Sequence, residues 1–133
     1  MSDPVEAELL ALNQRLLAAI DARDWATYAE LCDASLTSFE PEAPGSLIQG
    51  LHFHQFYFEL AAAPGKRLST IVSPHVRVMG DVAVVAYVRA LQRAHDGGAT
   101  TTAQYEETRI WQRQGGRWKH VHFHRARSSE GRP

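Results

Sequence analysis

The sequence predicts an α+β fold in which N-terminal helices pack in the concave face of a strongly curved antiparallel sheet. Apolar residues recur at helical spacing up to about residue 60 and alternate with polar residues from Leu68 onward. Helices followed by a long antiparallel meander are typical of α+β proteins, because a sheet curved around one long helix buries the apolar faces of both. With 133 residues and a hydrophobic fraction of 44%, we expect one domain, 1–133, with an ordered core from about residue 4 to residue 127.

Three helices are predicted in the N-terminal half of the chain, and local sequence signals mark where they begin or end. Asp3 is the expected N-cap of the first helix, with Pro4 in its first turn. Asp24 begins a shorter second helix. The third is predicted to end before Pro64-Gly65. Its predicted apolar stripe consists of Leu51, Phe53, Phe56, Tyr57 and Leu60.

The strands are separated by turns that contain glycine or proline. They are predicted at Leu36–Glu40, Leu68–Met79, Val82–Ala94, Thr100–Arg113 and Arg117–Ala126. Pro74 cannot donate a ladder hydrogen bond, so it predicts a bulge or a sheet edge in the second of these strands. Gly115-Gly116 is a strong signal for a two-residue hairpin turn between the last two.

Composition argues against several classes of function. A formal net charge of −1 gives no electrostatic case for nucleic acid or an anionic membrane as a partner. No apolar segment is long enough to span a bilayer, and Met1–Glu6 lacks the basic and apolar stretches of a signal peptide. Cys32 is the only cysteine, which excludes an internal disulfide and favours a reducing compartment; we therefore expect a cytoplasmic protein. The polar tail, Ser128–Pro133, is expected to fray.

A row of three histidines near the C-terminus raises the question of a metal site. His120, His122 and His124 alternate with other residues, so on a strand they are predicted to share one face with Trp118. The outer two would lie about 13 Å apart, whereas a Zn–N bond is about 2 Å long. We therefore favour a hydrogen-bonded row of histidines and predict neither a metal nor a cofactor.

The hairpin predicts which residues face this row. A two-residue turn pairs Gln114 with Arg117. Counting back then gives the pairs Trp111 with His120, Arg109 with His122, and Glu107 with His124. An arginine and a glutamate beside histidines indicate either a polar pocket or a salt-bridged surface, and the nearby tryptophans argue against full exposure.

Arg89 lies in an otherwise apolar strand. Such a side chain either reaches to the surface or meets an anion. Glu106, Glu107 or a bound ligand could supply that anion.

Taken together, these segments resemble the association (hub) domain of calcium/calmodulin-dependent protein kinase II. The resemblance runs from about Glu8 to Arg125. The matching segments are Leu36–Ala43, Gly50–Glu59, Pro74-His75, Ala86–Arg89, Glu106–Trp111 and Gly116–His124. Six segments in the order and near the spacing of the family form a specific match.

The resemblance implies the cone-shaped fold of the nuclear-transport-factor-2-like superfamily. It also implies self-assembly, with dimers that join into a larger ring. The family's pocket binds small carboxylates, and its positions correspond here to Arg89, Arg109, Tyr28 and His54. The hairpin register adds His122. The alternative to a ligand role is a core position for Tyr28 and a simple core contact for His54.

Three functions follow from these observations. The first is a stand-alone oligomeric hub whose pocket binds a small carboxylate or an acidic segment of another protein. No kinase motif is present in the sequence. The second is an enzyme of the isomerase, dehydratase or cyclase kind that uses His122, His54 or Glu107 as a base. Two arginines beside a histidine favour ligand capture over proton abstraction. The third is a polar cluster that only holds the fold together.

Overall fold

The computed structural model describes residues 3–60 and 65–128, and it confirms the predicted α+β fold. The elements are α1 (Pro4–Ala22), α2 (Trp25–Leu31), β1 (Cys32–Phe39), β2 (Ile48–Gln49), α3 (His52–Glu59), β3 (Arg67–Met79), β4 (Val82–Ala94), β5 (Thr100–Gln114) and β6 (Arg117–Arg127). The predicted break at Pro64 and the tail beyond Ser128 lie outside the described residues. No helix in the described parts of the chain is long and apolar enough to cross a membrane.

Helix α1 begins as its sequence signals predict. The Asp3 side chain accepts a hydrogen bond of 2.8 Å from the backbone N–H of Val5. At the other end Arg23 adopts a left-handed conformation, with φ 54°. The buried face of the helix contains Leu9, Leu16 and Leu17, which are fully buried between the helix and the sheet. Burial of each leucine side chain contributes roughly 2 kcal/mol.

Within the described residues the sheet has the strand order β2-β1-β6-β5-β4-β3. The neighbours pair antiparallel except β1 and β6, which are parallel. This exception to the predicted antiparallel sheet arises because the chain leaves β1, crosses to the far edge at β3, and returns strand by strand until β6 lies beside β1. The two-residue strand β2 was not predicted, since it is too short to leave a periodic signal.

Strand β3 has both features that Pro74 predicted. It lies at the edge of the sheet, and its pairing with β4 shifts between Val72 and His75. Within the shift, Ser73 has a positive φ of 52°. The proline therefore lies where β3 makes no regular backbone hydrogen bonds with β4, so its missing N–H leaves no acceptor unpaired.

A second bulge corrects the predicted register of the last hairpin. Gln114 pairs with Arg117 and Trp111 with His120, as predicted. Beyond that point Ile110 pairs with His122, so Val121 is an extra residue. Because one inserted residue moves every later side chain to the other face, the predicted pairs are wrong from there on. The observed pairs are Arg109 with Phe123 and Glu107 with Arg125.

The face predicted to be buried on α3 is also corrected. Phe56 and Tyr57 are 60% and 39% exposed, whereas His54 is the buried residue of the helix. The spacing of the apolar residues predicts the helix correctly. It does not predict which face is buried, because a polar residue of the helix has a buried hydrogen-bond partner. His54 finds one in Glu40, with 2.7 Å between its Nε2 and a carboxylate oxygen.

A buried hydrogen bond joins α1 to the centre of the sheet. The indole Nε1 of Trp111 donates to Oδ1 of Asn13 over 3.1 Å, and both residues are fully buried. Without this acceptor the indole N–H would lose its partner in an apolar core.

We expect Asn13→Ala to lower the free energy of unfolding by about 1–3 kcal/mol, the cost of leaving a buried donor unsatisfied. Urea denaturation at one fixed protein concentration measures this change. Glu8→Ala, at an exposed position of the same helix, is the matched control and should change stability by less than about 0.5 kcal/mol. Equal stability of wild type and Asn13→Ala would contradict the role given to the hydrogen bond.

Candidate functional site

A cavity of about 310 Å³ opens on the face of the curved sheet that the helices cover. Four of the five predicted ligand residues line it: Tyr28, His54, Arg89 and Arg109. The fifth, His122, does not. Residues from three helices and four strands surround the cavity, so the fold and the cavity depend on the same elements.

The floor of the cavity is organised around a buried carboxylate, that of Glu107. Arg109 donates to it from Nη2 over 3.0 Å and from Nε over 3.2 Å, and Arg89 approaches within 3.4 Å. The Tyr87 hydroxyl donates over 2.5 Å. Burial raises the pKa of Glu107, but the charges of Arg109 and Arg89 and the Tyr87 hydrogen bond outweigh it, so the pKa lies below the ordinary glutamate value. Glu107 is a counter-ion, and this geometry does not favour it as a base.

Arg89 is a structural cross-link between α1 and the sheet. It is 3% exposed. Beyond Glu107, its Nε donates to Ser69 Oγ over 2.8 Å and its Nη2 to Asp21 Oδ1 over 3.0 Å. The expectation that this arginine meets a carboxylate is confirmed, and three of its five N–H groups have protein acceptors.

Arg109 contacts His120, not the predicted His122. Its Nη1 lies 3.4 Å from His120 Nε2, and its guanidinium lies 4.4 Å from the centre of the Phe123 ring. Burial lowers the pKa of His120 well below its ordinary value, and the charge of Arg109 lowers it further. A neutral His120 accepts from arginine at Nε2, so its proton sits on Nδ1, 3.4 Å from Cys32 Sγ.

His122 lies on the opposite face of the sheet because of the Val121 bulge. Its Nδ1 is 2.7 Å from the Thr37 hydroxyl, and its ring packs against Phe39. The same flip places His124 against Phe39 and turns Phe123 into the cavity. The predicted placement of His122 beside Arg109 is therefore wrong. Among the described residues, no group of three or more potential ligands is arranged to hold a metal.

His54 and Glu40 form a second buried pair in the cavity wall. Glu40 also accepts a 2.7 Å hydrogen bond from the Ser38 hydroxyl. Burial raises the pKa of Glu40, but the hydrogen bond and charge of His54 outweigh it, and the pKa is lower than usual. The other ring nitrogen of His54, Nδ1, is buried without a hydrogen-bond partner. It is a polar atom that a ligand in the cavity can satisfy.

Sequence reasoning missed four further arginines of the cavity: Arg23, Arg67, Arg93 and Arg125. Arg93 could have been found, because it follows Arg89 by four residues and so shares its face on β4. Alternation along the last strand predicted Arg125 on the face opposite the histidines, whereas the Val121 bulge turns it into the cavity. The other two lie beside segments that carry no periodic signal, at the end of α1 and the start of β3.

The charges of the cavity do not balance. Among the described residues, six arginines line it, against two glutamates, Glu40 and Glu42. Asp21 and Glu107 lie behind the wall and pair with Arg89. Six positive charges against four carboxylates leave two positive charges uncompensated. A partly enclosed cavity with such a surplus attracts anions.

Comparison with known proteins places the chain in a family. A family model described as the calcium/calmodulin-dependent protein kinase II (CaMKII) association domain matches residues 5–129. The CaMKII hub homology domain of Chlamydomonas reinhardtii is 49% identical, with a TM-score of 0.88 over 94% of this chain and 99% of that chain. The C. elegans CaMKII association domain is 42% identical, with a TM-score of 0.85 over 91% and 94% of the two chains. The S. rosetta CaMKII hub is 39% identical, with a TM-score of 0.82 over 96% and 99%.

A more distant structure shares the fold alone. A nuclear transport factor 2-like protein from Salmonella enterica is 21% identical, with a TM-score of 0.79 over 96% of this chain and 93% of that chain. The expected superfamily fold and the resemblance noted in the sequence are both confirmed. The chain belongs to the CaMKII association-domain family.

Proposed function

We propose that this chain is an oligomerisation (hub) domain whose copies pair into dimers and join into a larger ring. The observation that carries the proposal is the likeness to CaMKII hub and association domains at 39% to 49% identity over nearly the whole chain. Hub domains of this family form homo-oligomers.

The outer face of β4 supports self-association. Successive outward residues of this strand are all apolar and only half-buried: Val82, Val84, Ala86, Val88 and Ala90. The neighbouring strand continues the patch with Ile110, opposite Val84. A sheet face that meets water is usually polar, and strands that are apolar on both faces are usually covered on both. A second copy of the chain is the cover we propose.

The cavity is proposed to bind a small carboxylate or the carboxylate of an acidic segment. Its support is the surplus of positive charge, the presence of Arg109 and Tyr28 in the wall, and the unsatisfied Nδ1 of His54, which donates to a carboxylate when the imidazole is protonated. Arg125 is a further ligand residue in this proposal. It stacks on Tyr105 at 4.9 Å and pairs with Glu42, which also lines the cavity.

The geometry favours ligand capture over acid–base catalysis. Of the three bases considered from the sequence, Glu107 is held by two arginines and His122 lies on the outer face. His54 remains in the cavity, but its Nε2 is engaged with Glu40. We therefore propose no catalytic step.

We expect size-exclusion chromatography with light scattering at micromolar concentration to give a mass of many subunits of 14.8 kDa. Val84→Glu should reduce this mass, because it places a charge within the apolar outer face. Ala11→Glu, at an exposed position of α1, adds the same charge elsewhere and should leave the mass unchanged. A wild-type monomer would contradict the hub proposal, and circular dichroism shows whether each variant is folded.

Small carboxylates such as butyrate should raise the melting temperature of the wild type, because a ligand at about 100 times its Kd stabilises the native state by about 2.7 kcal/mol. Arg109→Ala is a poor test by itself, since it leaves Glu107 buried with fewer partners and is expected to destabilise the fold by about 3–5 kcal/mol. Arg125→Gln should reduce the shift while the protein stays folded. Arg113→Gln, which removes an arginine that stacks on Trp118 away from the cavity, should leave it intact. The absence of any shift in wild type would rule out the ligand proposal.

A further inference from the structure

Two arginines face each other directly at one end of the cavity. Arg67 on β3 and Arg93 on β4 are register partners, and both line the cavity. Like charges directly opposite each other destabilise a sheet. The pair therefore lowers the stability of the sheet when no anion is bound.

The protein gives Arg67 little compensation for this arrangement. Its nearest carboxylate oxygen, Asp21 Oδ1, lies 3.8 Å away and already accepts a 3.0 Å hydrogen bond from Arg89. The Nε of Arg67 is buried without a hydrogen-bond partner. Burial lowers the pKa of Arg67, and the charge of Arg93 lowers it further, against the opposing effect of Asp21.

Arg67 and Arg93 form a recognition point separate from the inner one. Along β4, Arg93 lies eight residues beyond Val85, the register partner of Arg109, which corresponds to about 26 Å between Cα atoms before the two arginine side chains extend into the cavity. The inner point contains His54, Arg109 and Arg125. Apolar side chains line the same cavity: Ile20, Phe58 and Leu91.

We propose that the cavity takes a linear dicarboxylate, with one carboxylate at the inner point and the other between Arg67 and Arg93. The aliphatic chain of the ligand contacts the apolar wall. Two carboxylates neutralise the two uncompensated positive charges, and each forms charge-assisted hydrogen bonds with guanidinium groups. This inference rests on the proposed carboxylate pocket and specifies the class of ligand for that site.

The test compares diacids with monoacids of the same carbon number. Calorimetric titration of the wild type measures the Kd of glutarate, adipate and pimelate. These values are compared with the Kd of valerate, hexanoate and heptanoate at the same ionic strength. Because the second carboxylate forms its own charge-assisted hydrogen bonds, at least one diacid should bind about tenfold more tightly than its monoacid. Arg93→Gln and Arg67→Gln should each remove most of this preference.

Two further measurements separate a binding role from a structural one. Without ligand, Arg93→Gln should raise the melting temperature, because it relieves the repulsion across β3 and β4; a purely structural arginine would lower it. Arg77→Gln, an exposed arginine of β3 outside the cavity, is the matched control and should keep the diacid preference.

The outcomes distinguish failure of the dicarboxylate inference from failure of the carboxylate pocket itself. If diacids and monoacids bind the wild type equally, or if the preference survives in both variants, the dicarboxylate inference is wrong while the carboxylate pocket stands. If no acid of either series binds the wild type, both proposals fail. Arg93 is exposed, so its variant is expected to fold even if Arg67→Gln does not.

Discussion

The burial of Glu107 is the constraint on which the rest of the site depends. An ionised carboxylate that is 2% exposed loses several kcal/mol of hydration, which only close positive charges and hydrogen bonds can offset. Arg109, Arg89 and Tyr87 provide these contacts from two adjacent strands. Through Asp21, Arg89 extends the network to α1. One charge therefore fixes the position of the long helix over the sheet and the direction in which two guanidinium groups point.

This network divides the arginines of the cavity into two kinds. Arg89 is largely satisfied within the protein, so its role is to hold the floor. Arg67 and Arg93 are register partners, and the carboxylate near Arg67, that of Asp21, is already paired with Arg89. A cavity built in this way has a charge-compensated floor and, at one end, two poorly compensated arginines, and ionisable groups perturbed by burial and neighbouring charge cluster at functional sites.

Local signals predicted the elements of this fold far better than they predicted the site. The Asp3 cap, the Pro74 bulge and the Gly115-Gly116 turn each act through one or two residues, and the structure has all three. The burial of His54 and the position of His122 depend on contacts distant in sequence or on an inserted residue, and neither leaves a periodic trace. Resemblance to a family indicated the cavity residues Tyr28 and His54 on α2 and α3, while register counting failed on β6 beyond Val121.

The extra residue Val121 makes the last strand contribute to two surfaces. Before it, Trp118 and His120 point into the protein; after it, Phe123 and Arg125 do, while His122 and His124 face outward. One short stretch thus forms part of the cavity wall and part of the outer surface at once. Loss or gain of a single residue in this strand during evolution would exchange the two sets, so the cavity wall and the outer surface would change in the same step. A substitution in this strand alters one of the two surfaces, whereas an insertion or deletion alters both.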